Sequence, residues 1–188
     1  MCGRYTANLD YDEEIRSIYT ATAVAFPGVK QNSGEIFPTN TVPVLRGVSG
    51  GIAPVPAVWG YPKYTGKGVI INARAETAAD KYTFRDSLLS RRCVIPTTGY
   101  IEWSADKTKY RFNLPGQTLL YLAGFFKQFE DGSRFVILTT APNESTKQVH
   151  NRMPVILPKD YITRWTWDLS WAMNYLNNVM PELIKTVI

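Results

Sequence analysis

The stretch Thr118-Leu119-Leu120-Tyr121-Leu122-Ala123-Gly124-Phe125-Phe126, followed after a polar break by Asp131-Gly132 and then Phe135-Val136-Ile137-Leu138-Thr139-Thr140, decides the class of the fold. Apolar, aromatic and β-branched runs on either side of Asp-Gly read as two antiparallel strands, because that dipeptide accepts the positive φ of a tight hairpin. Upstream, Tyr110-Arg111-Phe112 precedes Pro115-Gly116, and Cys93-Val94-Ile95 and Tyr100-Ile101-Glu102-Trp103 flank a turn from Pro96 to Gly99. The whole second half therefore reads as an antiparallel meander. Further back, Thr41 to Arg46 reads as an edge strand, since Pro43 cannot donate to a ladder. Val55 to Gly60 and Val69-Ile70-Ile71 are further extended segments. Helical patterns stand at the margins, over Asp10–Thr20, 77–89, Asn143–Val149, Pro158–Trp165 and Asp168–Met180. Strands grouped with peripheral short helices predict an α+β fold, a single domain over 1–188 with a mainly antiparallel sheet in an open, barrel-like core.

With 188 residues and 45% apolar content, the chain can fill one core but not two ordinary ones. Its 21 basic against 16 acidic residues give a net charge of +5, which suits a polyanionic partner without requiring one. Two cysteines and one histidine build neither a disulfide framework nor a zinc site, so no metal and no cofactor is expected. Cys93, in the apolar run Cys93-Val94-Ile95, reads as a small buried hydrophobe. The N-terminus has no apolar signal region, and no stretch of about 18 apolar residues occurs, so the expected location is the cytoplasm.

The beginning of the chain, Met1-Cys2-Gly3-Arg4-Tyr5, carries the most distinctive chemistry. Removal of Met1, expected when a small residue follows, would leave Cys2 with a free α-amine and a thiol on adjacent carbons. An α-amine ordinarily titrates at about 7.7–8.0 and a cysteine thiol at about 8.5, so both are reactive near neutral pH. The amine can form a Schiff base with an aldehyde, and the thiol can close on the imine carbon as a five-membered thiazolidine. The plain alternative is that position 2 merely fell on cysteine.

Other candidates each carry a structural alternative. His150 is the only histidine and precedes an expected strand, where loop residues are displayed into sites; a lone histidine also serves purely structural ends. Glu102 stands among large apolar neighbours, so facing inward it must be paired or protonated and could shuttle protons, while facing outward it is an ordinary alternation residue. In strands Cys2 and Arg4 would share a face, as would Asn72 and Arg74. Such guanidinium groups can hold phosphates or only make surface ion pairs. Trp59, Tyr61, Tyr64 and Trp103 could stack on unpaired bases or fill the core.

Taken in register, Met1-Cys2-Gly3-Arg4-Tyr5, Phe37-Pro38-Thr39 with Pro43-Val44, Trp59-Gly60, Asn72-Ala73-Arg74-Ala75-Glu76-Thr77, Phe84-Arg85, Arg91-Arg92-Cys93-Val94-Ile95-Pro96, Gly99-Tyr100-Ile101-Glu102-Trp103 and His150-Asn151-Arg152-Met153-Pro154-Val155 resemble the SRAP family. These are the SOS response-associated peptidases, also described as abasic-site processing proteins. The resemblance spans residues 2 to about 157. It implies a β-rich domain that binds single-stranded DNA containing an abasic site, and a Cys2 that joins the ring-opened sugar aldehyde as a thiazolidine crosslink in the DNA damage response. It also implies active-site positions at Asn72, Glu102 and His150, with Arg4, Arg74 and Arg152 holding phosphates; beside them the aromatic residues Trp59, Trp103 and Tyr64 are the expected DNA contacts. The sequence departs from the family pattern at Gly60-Tyr61-Pro62-Lys63-Tyr64, where a second tryptophan is usual, and at His150-Asn151, where His-Asp is frequent.

The leading expectation is thus a monomeric crosslinking enzyme with accompanying lyase and autopeptidase activities, nucleoid-associated when engaged. Two others stand beside it: an N-terminal cysteine peptidase using Cys2 and His150, and a non-catalytic single-stranded DNA-binding module.

Overall fold

A computed structural model describes residues 3–188, so the reading of Met1 and Cys2 falls outside the described residues. In chain order the strands are β1 (Arg4–Ala7), β2 (Gly34–Ile36), β3 (Thr41–Val48), β4 (Gly51–Trp59), β5 (Tyr61–Pro62), β6 (Val69–Ile70), β7 (Asn72–Arg74), β8 (Arg92–Thr97), β9 (Gly99–Trp103), β10 (Lys109–Asn113), β11 (Leu120–Phe129), β12 (Gly132–Thr140), β13 (Met153–Pro154), β14 (Ile156–Leu157) and β15 (Ile184–Val187). The helices are α1 (Glu13–Ala25), α2 (Ala75–Ala78), α3 (Arg85–Ser90), α4 (Ile162–Trp167) and α5 (Leu169–Tyr175), with a 3₁₀ turn at Lys159–Tyr161. The expected α+β class is what the chain adopts.

The sheet closes. Strands run in the order β12-β4-β3-β8-β11, and β11 pairs back onto β12, making a five-membered ring. Closure removes free sheet edges, at the cost of covering both faces of the ring strands with apolar side chains. Phe135, Val136, Ile137 and Leu138 are accordingly all fully buried although they point alternately in and out. That double burial explains why the sequence there is a continuous apolar run. A second sheet, in the order β15-β10-β9-β1-β2, lies beside the ring.

Three details differ from the sequence reading. The meander holds two true hairpins, β9–β10, with Trp103 opposite Lys109, and β11–β12, with Phe129 opposite Gly132. At the Thr97–Gly99 and Pro115–Gly116 junctions the chain instead passes between sheets, because β8 and β11 belong to the ring while β9 and β10 belong to the second sheet. Gly99 makes the first corner possible: its φ is +138°, and a Cβ there would sit 2.8 Å from both Arg111 Cγ and Asn113 Oδ1. Second, β3 lies inside the ring and is not an edge. Pro43 is tolerated because it faces Pro56 of β4, and β8 pairs only with Leu45 and Arg46 further along. Third, the helix expected over 77–89 breaks into α2 and α3. The intervening Tyr82 is 88% exposed, so that turn has no apolar face to bury. Likewise 144–149 forms successive turns without a regular helix.

The helices are fixed by specific polar contacts. Asp12 caps α1, its Oδ1 accepting from the Glu14 and Ile15 amides at 2.7 and 3.2 Å. Arg92 is a buried cation made tolerable by four carbonyls, donating to Leu88 and Leu89 at the end of α3 and to Trp165 and Thr166 at the end of α4. Cys93 beside it is fully buried, as expected, and burial pushes its thiol pKa up.

Candidate active site and nucleic-acid interface

The first strand is anchored from both sides. β1 pairs antiparallel with β9, placing Arg4 opposite Ile101 and Tyr5 opposite Tyr100, and pairs with β2 through Tyr5 and Ile36. Its outgoing end is held at the Gly99 corner, where the Thr6 carbonyl accepts from Thr97 Oγ1 and the Thr98 amide, both at 2.7 Å. Directly opposed residues of an antiparallel pair share a face, so Tyr5, Tyr100 and Glu102 lie on one side of this sheet and Arg4, Ile101 and Trp103 on the other. Glu102 is 5% exposed and faces inward with the fully buried Tyr5. The inward alternative for this carboxyl is therefore the one realised.

Asn72 and Arg74 are positioned by β12, whose Ile137 and Thr139 they flank in parallel register. Asn72 is half-buried and Arg74 exposed. On the other side of Thr139 lies Pro154 of β13, so the segment carrying His150 and Arg152 reaches the same end of β12. Arg152 grips this corner: its guanidinium donates to both oxygens of Glu76 at 2.7 and 2.8 Å and to the Thr139 carbonyl. The bidentate guanidinium holds the Glu76 carboxyl below the usual carboxylate range. The Arg152 amide donates to His150 Nδ1 at 3.0 Å, and the Arg152 carbonyl stands 3.3 Å from the same nitrogen, so the backbone of Arg152 sets the orientation of the ring.

One indole joins the two halves. Trp59 packs against Tyr5 of β1 at 5.1 Å between ring centroids and stacks on Phe135 of β12. Its Nε1 donates to the carbonyl of Ile71, the residue before Asn72, at 3.0 Å. Because Trp59 is fully buried, the expectation that it stacks on bases is corrected: it has no open ring face, and its role is to hold the N-terminal strand and the Asn72 strand in register.

The outer face of the second sheet carries a cationic cluster that the sequence reading missed. Glu35 Oε1 accepts from Arg4 at 2.8 Å and Oε2 from Lys109 at 2.9 Å. The Lys109 ammonium, helped by Arg4, holds this carboxyl below the usual range against the opposing effect of burial. The Arg4 Cζ sits 3.8 Å over the Phe37 ring and 5.6 Å from Trp103, and Lys109 Nζ lies 5.8 Å from Trp103. A signal for this cluster was present: Lys109 and Arg111 alternate with Tyr110 and Phe112, the period of a strand with one basic face. Glu35, in a stretch without period, gave none.

Tyr64 is 85% exposed in the β5–β6 hairpin. That hairpin is anchored where Tyr61 packs on Phe129, opposite Gly132 at the start of β12. Thr139 lies at the far end of that strand, roughly 23 Å away at about 3.3 Å per residue. Among the described residues no cluster of three or more His, Cys, Asp or Glu side chains could hold a metal, and no helix is long and apolar enough to cross a membrane.

Residues 1–183 match the family model described as SOS response associated peptidase (SRAP). The chain is 31% identical to "Abasic site processing protein YoaM" of Bacillus subtilis, an alignment covering 96% of this chain and 85% of that protein. It is 30% identical to "Abasic site processing protein YoqW" of Bacillus phage SPbeta over 96% and 86%, and to "Abasic site processing protein YedK" of Escherichia coli over 58% and 53%. In structure it resembles a Bacteroides thetaiotaomicron protein (TM-score 0.79, 19% identity, 100% of this chain and 92% of that one). A Bordetella bronchiseptica protein gives the same TM-score at 22% identity, over 100% and 99%. Both structural likenesses speak to the fold alone.

Proposed function

The chain belongs to the SRAP family, and from that premise we propose that it processes abasic sites by capturing them covalently in single-stranded DNA through Cys2. The observation that carries this reading is the N-terminal Met1-Cys2-Gly3-Arg4-Tyr5 leading directly into a strand paired with the strand of buried Glu102. The names of the relatives, abasic site processing proteins, support the substrate class.

The chemistry proceeds from the chain with Met1 removed. The unprotonated α-amine of Cys2 adds to the C1 aldehyde of the ring-opened sugar, giving a carbinolamine that loses water to become an imine. The thiol then adds to the imine carbon and its proton passes to nitrogen, closing the thiazolidine; one water is released overall. Glu102 moves protons during addition and dehydration. His150 acts on the sugar as acid or base, and Asn72 orients the amine or the opened sugar. Arg4 and Arg74 hold flanking phosphates, and Trp103 offers a ring beside them. Arg152, already engaged with Glu76 and Thr139, contributes through its hold on His150 as well as its charge. β-Elimination from the same imine would give the lyase outcome.

A denaturing gel of processed protein with an abasic single-stranded oligonucleotide tests this. A heat-stable adduct is expected with the native chain and none with Cys2→Ala. Cys2→Ser keeps the amine but cannot form the sulfur ring, so it should yield an adduct only when borohydride reduces the imine. An undiminished heat-stable adduct from Cys2→Ala would overturn the proposal, and intact mass establishes whether Met1 is gone.

A further inference from the structure

Glu35 is the acid at the centre of the basic cluster on the outer sheet face, and its geometry does not match that of a residue needed to build the cluster. Its two carboxylate oxygens are divided between Arg4 and Lys109 at 2.8 and 2.9 Å, the spacing of charge-assisted bonds. Both cations are also held by other groups. Arg4 stacks on Phe37, and Arg4 and Lys109 both approach Trp103. Removing the carboxylate would leave the two positive groups where they are, converging on a point framed by two aromatic rings. The site is open to solvent, with the three side chains between 28% and 31% exposed. Ion pairs this accessible are weak, so an incoming anion that satisfies both cations can exchange with the carboxylate. Two cations facing two oxygens of one carboxylate also suit two oxygens of one phosphodiester. The location fits, since Arg4 is separated from Cys2 by a single residue.

We infer that Glu35 is an internal stand-in for a DNA phosphate, occupying the Arg4–Lys109 site until a phosphodiester of single-stranded DNA displaces it. It acts as a specificity-determining residue, since an incoming anion must satisfy both cations to take its place. The inference rests on the reading that the chain binds single-stranded DNA, and names one phosphate subsite and its competitor.

The test is equilibrium binding of a fluorescent, undamaged single-stranded oligonucleotide by fluorescence anisotropy across a salt series. Glu35→Gln keeps the shape of the side chain and removes its charge. It should bind roughly threefold to tenfold tighter at low salt. Its log–log salt dependence should steepen, by up to about 0.7 for each cation released to phosphate. Lys109→Ala should bind more weakly than the native chain, and adding Glu35→Gln to it should recover less than Glu35→Gln gains alone. Glu35→Ala should move in the same direction as Glu35→Gln, and a thermal melt of each variant confirms folding. Equal or weaker binding by folded Glu35→Gln and Glu35→Ala would overturn the inference and make Glu35 a positioning residue. The adduct assay with abasic DNA is separate: loss of that adduct in the native chain sinks the capture chemistry, while the anisotropy of undamaged DNA judges Glu35.

Discussion

Two arginines in this molecule each rest on a glutamate, and they do so in opposite ways. Arg152 chelates Glu76 with two nitrogens, adds a bond to a backbone carbonyl of β12, and is only 14% exposed. Arg4 shares Glu35 with Lys109, lies against aromatic rings, and is 31% exposed. The first arrangement is tied into the main chain and transmits a position, that of His150. The second consists of side chains at a solvent boundary and can change partners. Similar residue types thus yield a fixed brace in one place and an exchangeable contact in the other, with burial and backbone attachment making the difference.

That contrast can be broken by substitution. Arg152→Ala removes charge-assisted bonds and leaves the Thr139 carbonyl short of a donor, so urea unfolding should show a loss of about 2 kcal/mol. Its His150-dependent rate should fall as well, and Arg152→Lys, which cannot chelate both oxygens of Glu76, should rescue only part of either. Arg4→Ala should cost about 1 kcal/mol or less in the same unfolding experiment while weakening DNA binding at low salt. A result in which Arg4→Ala destabilises as much as Arg152→Ala would erase the distinction.

Acid sharpens the comparison. Glu35 and Glu76 both have carboxyl pKa values below the ordinary range in the folded chain. In such a case the unfolded state binds more protons in the acid window, so the stability from each is fully present above the unfolded value of about 4.3. It is lost as pH falls through the lowered folded value. Unfolding free energies across that window should show a shallower acid dependence in Arg152→Ala than in the native chain, and a slope unchanged by that variant would refute the coupling. Salt gives the smallest effect. Between about 0.1 and about 1 M the screening length falls from about 10 to about 3 Å, which should reduce the stability cost of Arg4→Ala more than that of Arg152→Ala.

How far the sequence could lead is visible in particular residues. Asp131-Gly132 announced its hairpin because turn chemistry is local, and the apolar setting of Cys93 announced its burial. Ring closure was out of reach. It depends on the parallel contact of β12 with β4 and on the pairing of β3 with β8, which join distant segments and leave no periodic trace. The corner at Gly99 could not be told from an ordinary hairpin turn, since both ask for the same residue. At the site, the strand pattern put Arg4 on a face, and surrounding bulk left Glu102 open to either side. Trp59 could serve core or ligand, the core being the commoner use of an indole, and its burial decided. The partner of Arg152 stands within the Asn72-to-Thr77 motif, yet nothing in the identity of Glu76 reveals a bond across 76 positions of chain.

The pairing of β1 with β9 also orders events in time. Arg4 finds Ile101 only after some hundred residues have been made, and at about 20 residues per second that partner emerges roughly 5 s after the N-terminus. Until then Arg4 and Tyr5 have no β9 to lie against. On the proposed chemistry, the strand that follows the nucleophile is therefore made well before the strand that completes its pocket, and the sequence distance between the two acts as a clock.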